Sequence, residues 1–250
     1  MIKVDTHVHC ISSKHAYSTI EEIHTRGLAK GLEAIAITDH FGPRYTSENL
    51  FSDFASITNI RNIAKFYTDL KIISGAEIDI VDKEGNLAFF DSFFDFDSKQ
   101  SILDRLFSKI DLVIASYHQF DSKNYSYEDL TEMLLNVLKN KNVHILGHID
   151  RIEANYDIEE VIYKASLYKK AIEINEYSFF SKNFSIDKMK KIINLCKKYK
   201  AYISIGTDAH IAKQVGDFSN ATKLLKELEF PYELIINRNL CSLNNFLSQE

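Results

Sequence analysis

His7 and His9 stand one residue apart in the stretch MIKVDTHVHCISSKHAYST, and His15 follows in the same segment. In a β-strand, residues i and i+2 point to one face, so an HxH pair can converge on a single ion. His15 lies beyond such a strand, in the next loop, and can reach back over the same end from another direction. The other candidates are dispersed: His40 closes AITDH, Glu77 lies in SGAEI, His118 ends ASYH, His148 ends LGH, and Asp208 and His210 lie in GTDAH. A single histidine in such a place is most often a hydrogen-bonded structural residue. Seven of the nine histidines, together with Glu77 and Asp208, fall into this one pattern, which makes a metal centre the economical reading. Imidazoles and carboxylates without thiolate suit Zn²⁺ first, and also Mn²⁺ or Fe²⁺. A glutamate among several histidines can bridge two ions, as in hydrolytic clusters that hold a hydroxide.

The elements that must carry these residues alternate. Short apolar runs (IKVDTHV, EAIAIT, KIISGAEI, DLVIASY, HILGH, AIEIN and AYISIGT) are separated by helical periodicity over 19–31, 53–70, 127–140, 157–170 and 185–199. Gly31 is placed to end the first helix, and Asp157 and Ser185 to cap the last two. About seven strand–helix repeats with near-continuous apolar strands predict a parallel α/β sheet, and periodicity leaves open whether it closes into a barrel. Each candidate ligand then stands at or just past the C-terminal end of a strand, where parallel sheets assemble active sites. Asp5 and Asp39, each close to a candidate ligand, are expected to orient imidazoles or to cap local backbone. Asn175 and Glu176 end the sixth strand and are expected to face the same cavity. His24 lies in the first helix and His144 at the start of a strand, so both are assigned structural roles. The stretch 80–101, rich in Phe and Asp, breaks the rhythm and is expected to form a hairpin and short helix over one end of the sheet, with a lid or subunit contact as the alternative.

At 250 residues, the chain is expected to form one domain over 1–250. Its 2 prolines and the lack of a linker-like stretch support that. A net charge of −5 gives no footprint for nucleic acid or anionic membrane. Three cysteines, Cys10, Cys196 and Cys241, form no CxxC and suit free thiols in a reduced compartment. Alternation turns Cys10 away from His7 and His9, towards core packing. No apolar run is long enough for a bilayer, and no basic-then-apolar segment precedes His7. A cytoplasmic protein is the resulting expectation.

With these residues in hand, the sequence resembles the PHP (polymerase and histidinol phosphatase) superfamily, and within it the YcdX-type metal-dependent phosphatases. The resemblance runs over essentially the whole chain, through DTHVH, SxxHAYST, AITDH, GAE, ASYH, LGH, EIN and GTDAH in order. It implies a distorted (β/α)7 barrel, TIM-barrel-like, with its active site at the C-terminal strand ends. It also implies three divalent metal ions. By the resemblance, His7, His9, Glu77 and Asp208 hold one ion, Glu77 bridges to a second held by His118 and His148, and His15, His40 and His210 hold the third. A homotrimer is a further implication. Two features depart from the pattern: GHIDR lacks a proline after His148 and is closer to the histidinol-phosphate phosphatases, and 80–101 is longer than expected.

The function expected on this basis is hydrolysis of small phosphomonoesters by hydroxide held between two ions bridged by Glu77. Glu77, Asp208 and His210 are the catalytic metal-site residues, and no general acid is assigned. Arg44 and Arg151, close after His40 and His148, are candidate phosphate contacts, with surface ion pairs as the alternative. An amidohydrolase-like enzyme acting on C–N or C–O bonds is the competing reading, because that superfamily also carries HxH on its first strand and a late Asp. A PHP-type nuclease is a third, disfavoured by the acidic balance.

Overall fold

Apolar runs that are buried on both faces must pair edge to edge and be covered by helices. In the computed structural model, which describes residues 2–44, 50–95, 99–118, 125–182 and 184–249, they do so as a nearly closed parallel barrel. The strands are β1 (Val4–Val8), β2 (Ala34–Ile37), β3 (His40–Phe41), β4 (Lys71–Asp79), β5 (Phe93–Asp95), β6 (Gln100–Ser101), β7 (Leu112–Ser116), β8 (Ile145–Leu146), β9 (Ala171–Asn175) and β10 (Tyr202–Gly206). Seven of them form the barrel in the order β1-β2-β4-β7-β8-β9-β10. The short β3 resumes the direction of β2 and pairs with β4, which sets His40 directly beside Glu77. The helices are α1 (Ile20–Lys30), α2 (Leu50–Thr58), α3 (Ile60–Ala64), α4 (Ile102–Phe107), α5 (Tyr127–Lys139), α6 (Ile158–Leu167), α7 (Ile186–Tyr199), α8 (Ser219–Glu227) and α9 (Leu240–Leu247).

Local chemistry sets most of these boundaries. A capping box between Thr19 and Glu22 starts α1, and Gly31 ends it in the left-handed conformation. Asp157 and Ser185 accept hydrogen bonds from Glu160 and Lys188 at the starts of α6 and α7. The single helix expected over 53–70 is instead two. At the break, Thr58 Oγ1 donates to Phe54 O and Asn59 Nδ2 to Ala55 O, so side chains compete for carbonyls that a continuing helix would use. The 80–101 stretch folds as expected, into an Ile80–Leu87 bridge and the β5–β6 hairpin leading into α4. Its Phe89 ring packs edge-on against Phe41, and its Phe94 ring packs tilted against Phe54.

Two apolar clusters lie on either side of the sheet. One joins the strands to the surrounding helices. The other fills the barrel with Val4, Ala34, Ala36, Ile73, Leu112 and Ile114. Leu243 and Phe246 of α9 close its N-terminal end, each buried side chain contributing roughly 1.5–3 kcal/mol. The distortion sits at the β1/β10 seam. There a Val8–Ala209 bridge replaces a ladder at the top. Below it, Asn237 spans the gap: Nδ2 donates to Val4 O and Ile205 O, and Oδ1 accepts from Ile205 N. Gly206 keeps this seam tight, since a Cβ there would lie 2.4 Å from Glu173 Oε1 and 2.6 Å from His7 Cβ. Among the described residues, no helix is long and apolar enough to cross a membrane.

His144 belongs to the far end of the barrel from the ligands. Its Nδ1 accepts the Val113 N–H at 3.0 Å, which requires a neutral ring, and burial brings its pKa down from 6.5 to about 4. Between these values the unfolded chain binds the proton and the folded one does not, so this contribution to stability is full above pH 6.5 and is lost as pH falls towards 4. His144→Asn keeps an acceptor without a titration. The stability advantage of wild type over this variant, measured by denaturant unfolding, is expected to shrink between pH 6.5 and 4; a constant difference would contradict the assignment.

Candidate metal centre

His7 and His9 leave β1 on one face with their Nε2 atoms 3.1 Å apart. Glu77 Oε2 lies 3.3 and 3.4 Å from them, and Asp208 Oδ1 3.6 and 3.2 Å. A tetrahedral ion with bonds of about 2.0 Å requires its ligand atoms to be about 3.3 Å apart. These five edges, among two nitrogens and two oxygens, cluster around that spacing. The other oxygen of Glu77 turns to a second pair, 2.9 Å from His148 Nε2 and 3.5 Å from His118 Nε2. His15 and His210 meet with Nε2 atoms 2.8 Å apart. The His40 ring stacks on His15 at 4.9 Å and on His9 at 4.2 Å.

All nine predicted ligands therefore converge on one end of the barrel. Three triads among the described residues are close enough to hold an ion: His7–His9–Glu77, His40–Glu77–His118 and His9–His40–His210. His9 and His40 stand between groups, with His40 Nδ1 only 2.8 Å from Glu77 Oε2. That oxygen is buried and receives no hydrogen bond, although three imidazole nitrogens lie within 3.4 Å. A carboxylate this close to imidazole nitrogens needs positive charge between them, either protons on the rings or cations in their place. The donor set and this arrangement fit divalent cations.

Burial alone would raise the Glu77 carboxyl, but His7, His40 and His118 hold it well below the usual range. Asp208 behaves likewise: burial opposes ionisation, and His7 with Arg151 overcomes it. His9 is pushed well below the usual imidazole value by burial and by the neighbouring charge of His40. For His118, burial acts downward, yet Glu77 and Asp79 carry it up to about 9.

The outer ring nitrogens are engaged in turn. His7 Nδ1 pairs with Glu173 Oε1 at 2.6 Å, His118 Nδ1 with Asp79 Oδ1 at 2.7 Å, and His9 Nδ1 with Ser13 Oγ at 3.1 Å. His15 and His210 use the carbonyls of Ser13 and Asp208. A proton held on Nδ1 leaves the Nε2 lone pair facing the centre. Asp39 acts one step further out, accepting from Ser13 Oγ at 2.6 Å. Glu173 and Asp79 were not picked out from the sequence. The signal was present, because Asp79 follows Glu77 by two residues on β4 and Glu173 precedes Asn175 by two on β9.

Asp5 touches no imidazole ring. It accepts from the backbone of Thr207 and Gly216 and from Thr207 Oγ1, the capping alternative. Asn175 faces the cavity, its Nδ2 reaching Glu173 and Asp208. Glu176 does not: it accepts from Asn220 and Ala221 at the start of α8, because the chain turns into a 3-10 helix after Asn175. Arg151 donates through Nη2 to Asp208 Oδ2 at 2.9 Å and through Nε to Ser178 Oγ. Arg44 is exposed at the mouth and donates to His118 O. His24 pairs with Asp69 on the outside of the barrel.

Two of the candidate ligands stand on unusual backbone. His148 has φ 23° and Asp208 φ 54°, conformations that cost a non-glycine residue about 1–3 kcal/mol and cluster at functional sites. Glu173 supports this region, since Oε2 also accepts the His148 N–H at 2.9 Å. Glu173→Gln replaces one acceptor oxygen by a donor, and is expected to weaken metal binding by roughly 10–100-fold while leaving the circular-dichroism spectrum unchanged. Unchanged affinity by metal titration would contradict this role.

The PHP domain family model matches residues 5–187. A "probable phosphatase" of Caldicellulosiruptor bescii is 37% identical over 246 residues, covering 98% of this chain and 95% of the relative. Another, from Acetivibrio thermocellus, is 34% identical over 247 residues, covering 99% and 95%. Among solved structures, the histidinol phosphate phosphatase of Lactococcus lactis, complexed with Zn, L-histidinol and phosphate, superposes with a TM-score of 0.61 at 23% identity, covering 92% of this chain and 94% of that one.

Proposed function

Since the chain belongs to the PHP domain family, we propose that it is a metal-dependent phosphatase that cleaves small phosphomonoesters at a trinuclear centre. The observation that carries this reading is the convergence of His7 and His9 Nε2 with Glu77 Oε2 and Asp208 Oδ1, each nitrogen within 3.6 Å of both oxygens, with the second Glu77 oxygen directed at His118 and His148. In this reading the first four residues would hold one ion. Glu77, His118 and His148 would hold a second, and His15, His40 and His210 a third. Zn²⁺ is the first choice, with Mn²⁺ or Fe²⁺ as alternatives. Bound cations would supply Lewis-acid stabilisation of the phosphoryl oxygens and lower the pKa of water at the centre.

The protein's own groups then have separate tasks. Glu77 and Asp208 supply the negative charge that retains cations and stay ionised across the neutral range. Glu173, Asp79 and Ser13 keep the imidazoles turned with Nε2 inward. Arg151 fixes Asp208 and brings a guanidinium to the edge of the centre, and Arg44 places a second cation at the mouth. Both would attract a phosphate dianion.

The reading is tested by incubating the purified protein with Zn²⁺ or Mn²⁺ and phosphomonoesters, dipeptides or single-stranded DNA. Phosphomonoester turnover that is lost on chelation and restored by metal is expected. Activity on amides alone, or on DNA alone, would overturn the proposal.

A further inference from the structure

Gly42 follows Phe41 as Asp79 follows Ile78, so the β3–β4 register brings the two residues opposite one another where β3 ends. They meet at closer range than strand neighbours do. A Cβ on Gly42 would overlap the Asp79 carboxyl group and lie 2.5 Å from the Asp79 Cβ. Rotating the Asp79 side chain does not relieve the second contact, because Cβ stays where the backbone places it. Only glycine fits here without separating β3 from β4.

The contact matters because of what Asp79 does on its other side. Asp79 is fully buried, its Oδ1 pairs with His118 Nδ1 at 2.7 Å, and its Oδ2 receives no hydrogen bond. Gly42 presents no side chain to that oxygen, and Pro43 after it has no N–H to give. The carboxylate charge is left undiluted for the imidazole. That raises the basicity of the ring and keeps Nε2 turned towards Glu77 Oε1, 3.5 Å away.

We propose that Gly42 is a positioning residue for the second metal site: its missing Cβ lets Asp79 stand where it holds the Nδ1 proton of His118. The ion rests on the trinuclear reading, whereas the packing of Gly42 against Asp79 does not.

Gly42→Ala, Asp79→Gly and the double variant test this. Zn²⁺ titration against a chromophoric chelator is expected to show one of three ions bound about 10–100-fold more weakly in Gly42→Ala, with the other two unchanged. In the Asp79→Gly background, where both clashing groups are gone, Gly42→Ala should add less than about twofold. Equal losses in the two backgrounds, or weakening of all three ions together, would overturn the proposal. If Gly42→Ala does not fold, restoration of folding by Asp79→Gly is the expected result, and a double variant that stays unfolded overturns it. A second readout needs no metal. The metal-free wild type should show a downfield imidazole N–H proton resonance from the His118–Asp79 pair, assigned by its absence in Asp79→Gly. Its loss in Gly42→Ala is expected; its persistence there, or its absence from wild type, would overturn the proposal. Fewer than three ions in wild type, together with that loss, would contradict the trinuclear reading and support the positioning role.

Discussion

A buried carboxylate surrounded by imidazoles is the constraint on which the rest of this structure depends. Glu77 is fully buried at the C-terminal end of the barrel, and its two oxygens are shared among His7, His9, His40, His118 and His148. In an apolar interior such a group would be several kcal/mol unfavourable and would take up a proton. Here the surrounding positive charge keeps it ionised. Each imidazole whose Nδ1 is committed to an outer acceptor has only Nε2 to offer inward.

The barrel is the means of bringing these residues together. Parallel strands end at one rim, so ligands far apart in the chain arrive side by side, as the His40–Glu77 register shows most directly. Strand ends alone do not complete the centre. His148 and Asp208 turn inward through left-handed backbone, strain that is held by hydrogen bonds around them. Glu173 receives the His148 N–H, and Arg151 and Asn175 hold the Asp208 carboxylate. The incomplete β1/β10 seam belongs to the same economy of space, because Gly206 lets Glu173 reach His7 from across it.

How much of this was legible in the sequence follows from which signals are periodic. The seven barrel strands and the placement of the candidate ligands at their ends were readable, because β-branched runs and HxH spacing are local. The division at Asn59 was not, since side-chain competition for helix carbonyls leaves the apolar period unchanged. Helices α8 and α9 were missed because each is short, and α8 has no side-chain cap to announce it. Glu173 and Asp79 were passed over as strand polar residues, although their i±2 spacing from cavity residues placed them on the inward face. Glu176 misled in the opposite direction: adjacency to Asn175 suggested the cavity, but the chain leaves strand geometry at that residue.

The central claim is that Glu77 lies between two ions and that a third occupies the His15, His40 and His210 corner. Anomalous X-ray diffraction from crystals loaded with Zn²⁺ or Mn²⁺ tests it most directly. The account predicts three anomalous peaks at the C-terminal rim of the barrel, two of them sharing Glu77. A single peak at His7 and His9, or peaks away from Glu77, would contradict it.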